Sequence, residues 1–255
     1  MKEKTKQGWQ GVFWKNVKVL FMEEGHYSPG KFLANELAGI TKNEAIYFVG
    51  LLIIQMSTFV LTNDSAWLSV ITGVANICCV FLGAKQKISN YIFGLIFSGL
   101  YFFVSLDAFA LGEVALAAFF FGAQFAGLYS WVNNSQNDEE DGVAVISEKL
   151  SLIQWGITIG CFVIIYSGSA YILMLLSSNA PITDAITNSL NIVGTVLMAR
   201  RFREQWLIWI LVNIFSIILW SQLGNIPMIG MNIALLINSI YGYVAWSLSL
   251  KKRMY

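Results

Sequence analysis

The chain has 255 residues, of which 56% are hydrophobic, 15% aromatic and only 12% charged, with a formal net charge of +1. Soluble domains carry about twice that share of charge, so the composition excludes them and reads as an all-α polytopic membrane protein. Backbone groups in lipid must be bonded internally, and apolar stretches this long do not alternate as barrel strands do.

Residues 1–43 are too polar for a signal peptide and hold no short apolar region ending in a small-residue cleavage site. Trp9, Val12, Phe13, Val17, Leu20 and Phe21 form a helical apolar stripe among Lys15 and Lys18, the pattern of an amphipathic helix in the headgroup region. Ser28-Pro29 reads as an N-cap followed by proline at the first helical position of a second helix. Phe32, Leu33, Leu37 and Ile40 give that helix its apolar face. His26, the single histidine, falls in the break between the two and is read as a surface or turn residue.

Eight apolar stretches follow, at 45–62, 66–83, 88–105, 108–131, 152–176, 183–199, 206–223 and 228–250. Each is long enough for an α-helix to cross a hydrocarbon core about 30 Å thick. All sixteen Lys and Arg residues then fall on one side of an eight-span layout. They lie before the first span, at Lys85 and Lys87, at Lys149, at Arg200, Arg201 and Arg203, and at Lys251, Lys252 and Arg253. The loops on the other side carry Asp64, Asp107 and Asp184. The positive-inside rule puts both termini in the cytoplasm. Cys78, Cys79 and Cys161 lie within spans and are odd in number, so they read as reduced core residues with no disulfide or metal role.

Shifting the chain by 115 residues lays Trp67–Trp131 over Ile182–Trp246 without a gap. Ile71-Thr72 meets Ile186-Thr187, Asn76-Ile77 meets Asn191-Ile192, Gly127 meets Gly242 and Trp131 meets Trp246. Identity is low, about one position in eight, but span lengths, basic turn and closing tryptophan keep register. The organisation is therefore an interfacial segment 1–43, an extra span in 44–64, a first three-helix repeat 65–131 and an acidic loop 132–150. A linker span 151–177, a second three-helix repeat 178–250 and a basic tail 251–255 complete it. Three spans plus one linker bring the second repeat in parallel to the first. Parallel repeats place a substrate site at their interface near the midplane, reached by rocking of one half against the other.

Polar residues at depth point to that interface. At a rise of about 1.5 Å per residue, Asn76, Asn191, Asn213 and Asn238 all lie near the midplane. Unpartnered amides are costly in lipid, so four at one depth predict a polar cavity. Asn188 and Asn191 share a face that Thr195 extends; Tyr91, Ser98 and Ser105 form another stripe, and Gln124 shares a face with Trp131. Trp206, Trp209 and Asn213, at spacings of three and seven, lie on one face. Two indoles one turn apart offer π-faces to a flat or cationic ring, with an amide below for a carboxamide or hydroxyl. Glu113, near the outer end of its span, either snorkels to the interface or attracts cations to an outer vestibule. No buried chain of acidic residues or histidine is legible to relay protons, and no G-x-x-x-x-G-K-[ST] motif appears, which leaves passive movement. No span contains histidine, and there is no nucleophile–base or metal constellation for an intramembrane enzyme.

The run Arg200-Arg201-Phe202-Arg203-Glu204-Gln205-Trp206-Leu207-Ile208-Trp209, continuing to Asn213, resembles a hallmark of the Pnu vitamin transporters. So do Lys87-Ile88-Ser89-Asn90-Tyr91 with Gly94, Gln124 with Tyr129-Ser130-Trp131, and Tyr241-Gly242-Tyr243 with Trp246. The resemblance covers about residues 45–250. It implies a three-plus-one-plus-three core like that of the SWEET sugar transporters, commonly a homotrimer, in a bacterial inner membrane. It further implies facilitated diffusion of nicotinamide riboside, without cofactor or nucleic acid, the substrate being trapped after entry by a cytoplasmic kinase. Trp206, Trp209 and Asn213 are the substrate contacts the resemblance carries over. Asn188, Asn191, Asn76, Gln124, Asn238 and Tyr241 complete the candidate site. Relatives take thiamine or other nucleosides, and a sugar facilitator would use similar amides with less need of two indoles.

Overall fold

The computed structural model describes residues 22–23, 26–27, 29–61, 67–138, 142–145 and 147–254. The apolar stripe from Trp9 to Phe21, the cap at Ser28 and the loop residue Asp64 lie outside the described residues. Among the described residues the helices are α1 (Pro29–Leu37), α2 (Lys42–Leu61), α3 (Trp67–Ala84), α4 (Asn90–Asp107) and α5 (Leu111–Asn133). They continue with α6 (Leu152–Leu175), α7 (Pro181–Ala199), α8 (Gln205–Gln222) and α9 (Ile226–Met254). Two short antiparallel ladders were not legible as strands: β1 (Met22–Glu23) with β2 (His26–Tyr27), and β3 (Ser135–Asp138) with β4 (Gly142–Val145). The second folds the acidic loop back on itself, and strands of two or four residues are too short to leave a periodic signal.

Six of these helices, α3, α4, α5, α6, α8 and α9, are long and apolar enough to cross a membrane by length and composition. Helix α7 falls short for a visible reason: Asp184, Thr187, Asn188, Ser189 and Asn191 are all buried, so its polar face is turned into the protein. Helix α2, which opens on Lys42, Asn43 and Glu44, and the nine-residue α1 are also outside that set.

Neighbouring helices form a closed ring. Helix α3 packs on α4, α4 on α5, α5 on α7, α7 on α8, α8 on α9, and α9 returns to α3. The linker α6 packs outside the ring against α7, and α2 packs outside it against α9 and α3. Most of the α6 surface is exposed and apolar, including Leu152, Ile153, Ile164 and Leu175, as befits a helix whose solvent is lipid.

The ring helices end in matching ways. Helix α3 stops with Gln86 in the left-handed region (φ 58°) and Lys87 N donating to Leu82 O; α7 stops with Arg201 (φ 63°) and Phe202 N donating to Leu197 O. Helix α4 stops with Phe109 (φ 52°) and Ala110 N on Ser105 O; α8 stops with Gly224 (φ 70°) and Asn225 N on Trp220 O. These are Schellman closures, which satisfy the last carbonyls and reverse the chain tightly. Each member of a pair lies 115 residues from the other.

Acidic residues tie the basic turns to the segments before each ring half. Lys85 Nζ meets Glu44 at 3.0 Å, and Glu36 accepts from the Ser89 N–H (2.9 Å) and its hydroxyl. In the other half Glu148 meets Arg201 at 2.5 Å, and Glu204 accepts from Leu150 N at 2.9 Å. Lys85, Arg201 and Arg203 are thus ion-paired within these turns.

Two expectations change at the end of the ring opposite these basic turns. Asp184 is no loop residue: it sits in the first turn of α7, fully buried, accepting from Gly112 N (3.0 Å) and Ser178 Oγ (3.2 Å). Glu113 does not snorkel. It is fully buried and accepts from Tyr101 Oη and Thr187 Oγ1, both at 2.7 Å. Both carboxyls face the α5–α7 contact, where tertiary donors replace water; the sequence shows depth along a helix but not which neighbour faces it.

Two of the glycines at close helix approaches lie beneath aromatic rings. A Cβ on Gly242 would lie 2.6 Å from the Trp206 ring, and one on Gly127 would strike the Tyr91 ring. Gly242→Ala should therefore overpack the interior, costing about 1–3 kcal/mol and lowering the melting temperature in detergent. Gly122→Ala and Gly160→Ala, where nothing lies within 4 Å, should leave it unchanged or raised, and a thermal-shift comparison of the three checks this.

Candidate functional site

The ring encloses one cavity to which all six ring helices contribute and to which α2 and α6 do not. Helix α3 supplies Asn76, Cys79 and Val80; α4 supplies Tyr91, Phe97 and Tyr101; α5 supplies Phe120, Ala123, Gln124 and Gly127. Across from them α7 supplies Asn191, Thr195, Met198 and Ala199. Helix α8 gives Trp206, Trp209, Val212, Asn213 and Ser216, and α9 gives Met231, Asn232, Leu235 and Ser239. None of these lining residues is charged.

The polar groups are oriented by their own helices. Asn191 Nδ2 donates to Thr187 O (2.9 Å), Asn232 Nδ2 to Met228 O (2.7 Å), and Asn213 Nδ2 to Trp209 O (2.7 Å) and Ser239 Oγ (3.0 Å). Asn76 Nδ2 reaches across to Met231 Sδ at 3.5 Å. In each case the amide nitrogen is tied down, and the carbonyl oxygen has no donor among the described residues. Those four oxygens are left to accept from a substrate.

Its aromatic wall is asymmetric. Trp209 is half-buried, with Nε1 donating to Gln205 Oε1 (3.4 Å) and its ring 3.3 Å from where a Cβ on Gly194 would stand. Trp206 is buried over Gly242 and edge-on to Trp246, centroids 5.9 Å apart. A Cβ at 194 would press on the indole, which would have to give by a few tenths of an ångström.

Of the nine residues singled out from sequence, the cavity brings together Asn76, Gln124, Asn191, Trp206, Trp209 and Asn213. It does not include Asn188, Asn238 or Tyr241. Asn188 lies one turn nearer the Asp184 end of α7, with a buried Oδ1 that has no partner among the described residues. Asn238 accepts from Tyr47 Oη (3.4 Å) and Tyr241 donates to Glu44, so both address α2 outside the ring. Asn232, Ser216 and Ser239 were missed. On α9, Asn232 and Ser239 are seven residues apart and share a face, whereas Asn238 is rotated from both. Depth alone picked Asn238; the heptad spacing of 232 and 239 was the signal that gives azimuth.

Comparison with known proteins bears directly on this cavity. Residues 66–248 match the family described as nicotinamide mononucleotide transporter. A Haemophilus influenzae protein named nicotinamide riboside transporter PnuC is 36% identical over 215 residues, covering 82% of this chain and 91% of its own length. A Neisseria mucosa protein of the same name is also 36% identical, over 224 residues, covering 84% of each chain. A solved structure titled crystal structure of the vitamin B3 transporter PnuC superposes with a TM-score of 0.79 at 34% identity. That match covers 88% of this chain and 99% of the other. With the match spanning every ring helix and relatives this similar along nearly their whole length, the chain belongs to the nicotinamide mononucleotide transporter family of multi-pass membrane proteins.

Proposed function

We propose that this protein carries nicotinamide riboside across the cytoplasmic membrane by facilitated diffusion. The observation that carries the reading is the uncharged cavity inside the ring, walled by indoles and lined with inward amide oxygens. The pyridinium of nicotinamide riboside is flat and cationic, so it gains from the Trp209 face and from acceptor oxygens around it. Its ribose hydroxyls and carboxamide N–H groups are donors, which the Asn76, Asn191, Asn213 and Asn232 oxygens match. A phosphate is different: with no cation on the lining, a mononucleotide would bury a charge unpaired. The site therefore favours the riboside over the mononucleotide in the family description.

The same reading takes α2 to α9 as eight spans, with α3–α5 and α7–α9 as parallel halves joined by α6. The helix ends that recur 115 residues apart support it. The basic turns face the cytoplasm under the positive-inside rule, with both termini on that side. A homotrimer, as the resemblance implies, would bury part of the exposed apolar face of α6. Rocking of one half against the other about the central cavity then exposes the substrate to either side. Glu113 and Asp184 are buried carboxyls that sequence reasoning did not foresee; neither lines the cavity, which supports the passive reading.

Binding to purified protein checks the site. Trp209→Ala should remove stacking worth about 1–3 kcal/mol and weaken nicotinamide riboside about tenfold or more, while Trp209→Phe loses much less. In competition, the mononucleotide should be weaker by about a hundredfold or more, with thiamine and glucose also displaced by the riboside. Wild-type affinity in folded Trp209→Ala protein removes that residue from the site, and preference for thiamine or glucose reassigns the substrate.

Uptake checks the energetics. In liposomes, internal nicotinamide riboside should level off at the external concentration whatever the pH or sodium gradient. Accumulation above that level, lost when a gradient is collapsed, would overturn facilitated diffusion and bring the buried carboxyls into the transport cycle.

A further inference from the structure

Four aromatic side chains lie together at the basic end of the cavity, in the spatial order Tyr91, Trp131, Trp246, Trp206. Their ring centroids are 5.2, 6.0 and 5.9 Å apart, edge-on at both ends and tilted in the middle. All four are buried, the two central indoles to 0% and 1% exposure. A shift of 115 residues carries Tyr91 onto Trp206 and Trp131 onto Trp246, so each half supplies one outer and one central ring.

The central pair is tied across the halves. Trp131 Nε1, on α5, donates to Met198 O at the end of α7 (3.1 Å). Trp246 Nε1, on α9, donates to Gly83 O at the end of α3 (3.3 Å). The same shift carries Gly83 onto Met198, so the two bonds are related to each other as the halves are. Each crosses from one half to the other at the level of the basic turns. The outer pair is different. Tyr91 and Trp206 lie over Gly127 and Gly242 of their own halves, and both line the cavity. The Tyr91 hydroxyl and Trp206 Nε1 are buried without a partner among the described residues. A buried donor left unbonded is a standing cost of the closed arrangement, and water or substrate hydroxyls relieve it on opening.

We propose that Tyr91, Trp131, Trp206 and Trp246 form the cytoplasmic gate of the transporter, latched by the two crossed indole hydrogen bonds. The latch holds the halves together at this end while the cavity is loaded, and inward release requires both bonds to part. The proposal rests on the transport reading and on its parallel halves. Trp131 and Trp246 thereby act on the rate of opening, while Trp209 acts on affinity.

Cys79 supplies the readout, because it lines the cavity five residues before the end of α3. In a Cys78→Ala, Cys161→Ala background, a small membrane-impermeant methanethiosulfonate reagent is applied to either face of sealed vesicles. Trp131→Phe and Trp246→Phe keep a ring but lose the N–H. Each should raise the rate of Cys79 modification from the cytoplasmic face about three- to tenfold, as expected for one hydrogen bond, and the double variant should exceed either. Modification from the outer face should not rise. Unchanged cytoplasmic rates in both single variants, or an equal rise from both faces, would overturn the gate. No substrate is present, so this outcome is independent of the competition binding that tests the substrate.

Discussion

A side-chain amide in hydrocarbon must find a partner, and in this bundle each cavity asparagine finds it through nitrogen. Asn191, Asn213 and Asn232 each donate to the carbonyl four residues earlier on their own helix. That local bond satisfies the donor, fixes the amide plane and turns the oxygen toward the cavity. The chemistry of the site follows from it. A neutral chamber becomes acceptor-rich without a single ionised group, which suits a cation bearing hydroxyls and disfavours an anion.

The ends of the ring are built on different physics. At the basic end, aromatic rings pack edge-on, two indoles bond across the halves, and surface ion pairs at Lys85 and Arg201 sit outside them. Opposite, Glu113 is held by two hydroxyls and Asp184 Oδ2 by a hydroxyl and a backbone N–H, while Asp184 Oδ1 is buried with no partner among the described residues, and neither carboxyl has a cationic partner among the salt bridges of those residues. Tyr101 joins that outer cluster to the cavity, since its ring lines the chamber and its hydroxyl holds Glu113.

Much of this was legible in the sequence because length and hydropathy report helices directly, and charge sorting reports their order. The position of Trp206, Trp209 and Asn213 on one face of α8 was legible too, since spacings of three and seven fix azimuth within a helix. What sequence could not give was azimuth relative to the ring. Asn238 and Tyr241 look as polar and as deep as Asn232, yet they turn toward α2, where Tyr47 and Glu44 await them. Glu113 read as interfacial because only its distance from the helix end was visible; the Tyr101 and Thr187 hydroxyls that bury it come from two other helices. Close approach was invisible as well, since Gly194 and Gly242 are unremarkable in an apolar span until an indole lies on them.

The central claim is that a neutral, acceptor-rich cavity between two helix triplets selects a cationic pyridinium. Calorimetric titration of the purified protein with nicotinamide riboside and with its neutral dihydropyridine form tests this most directly. The two ligands share ribose and carboxamide and differ in ring charge and flatness. The account predicts weaker binding of the neutral form by about tenfold or more, the worth of a desolvated cation–π contact. Equal affinity for the two would contradict it.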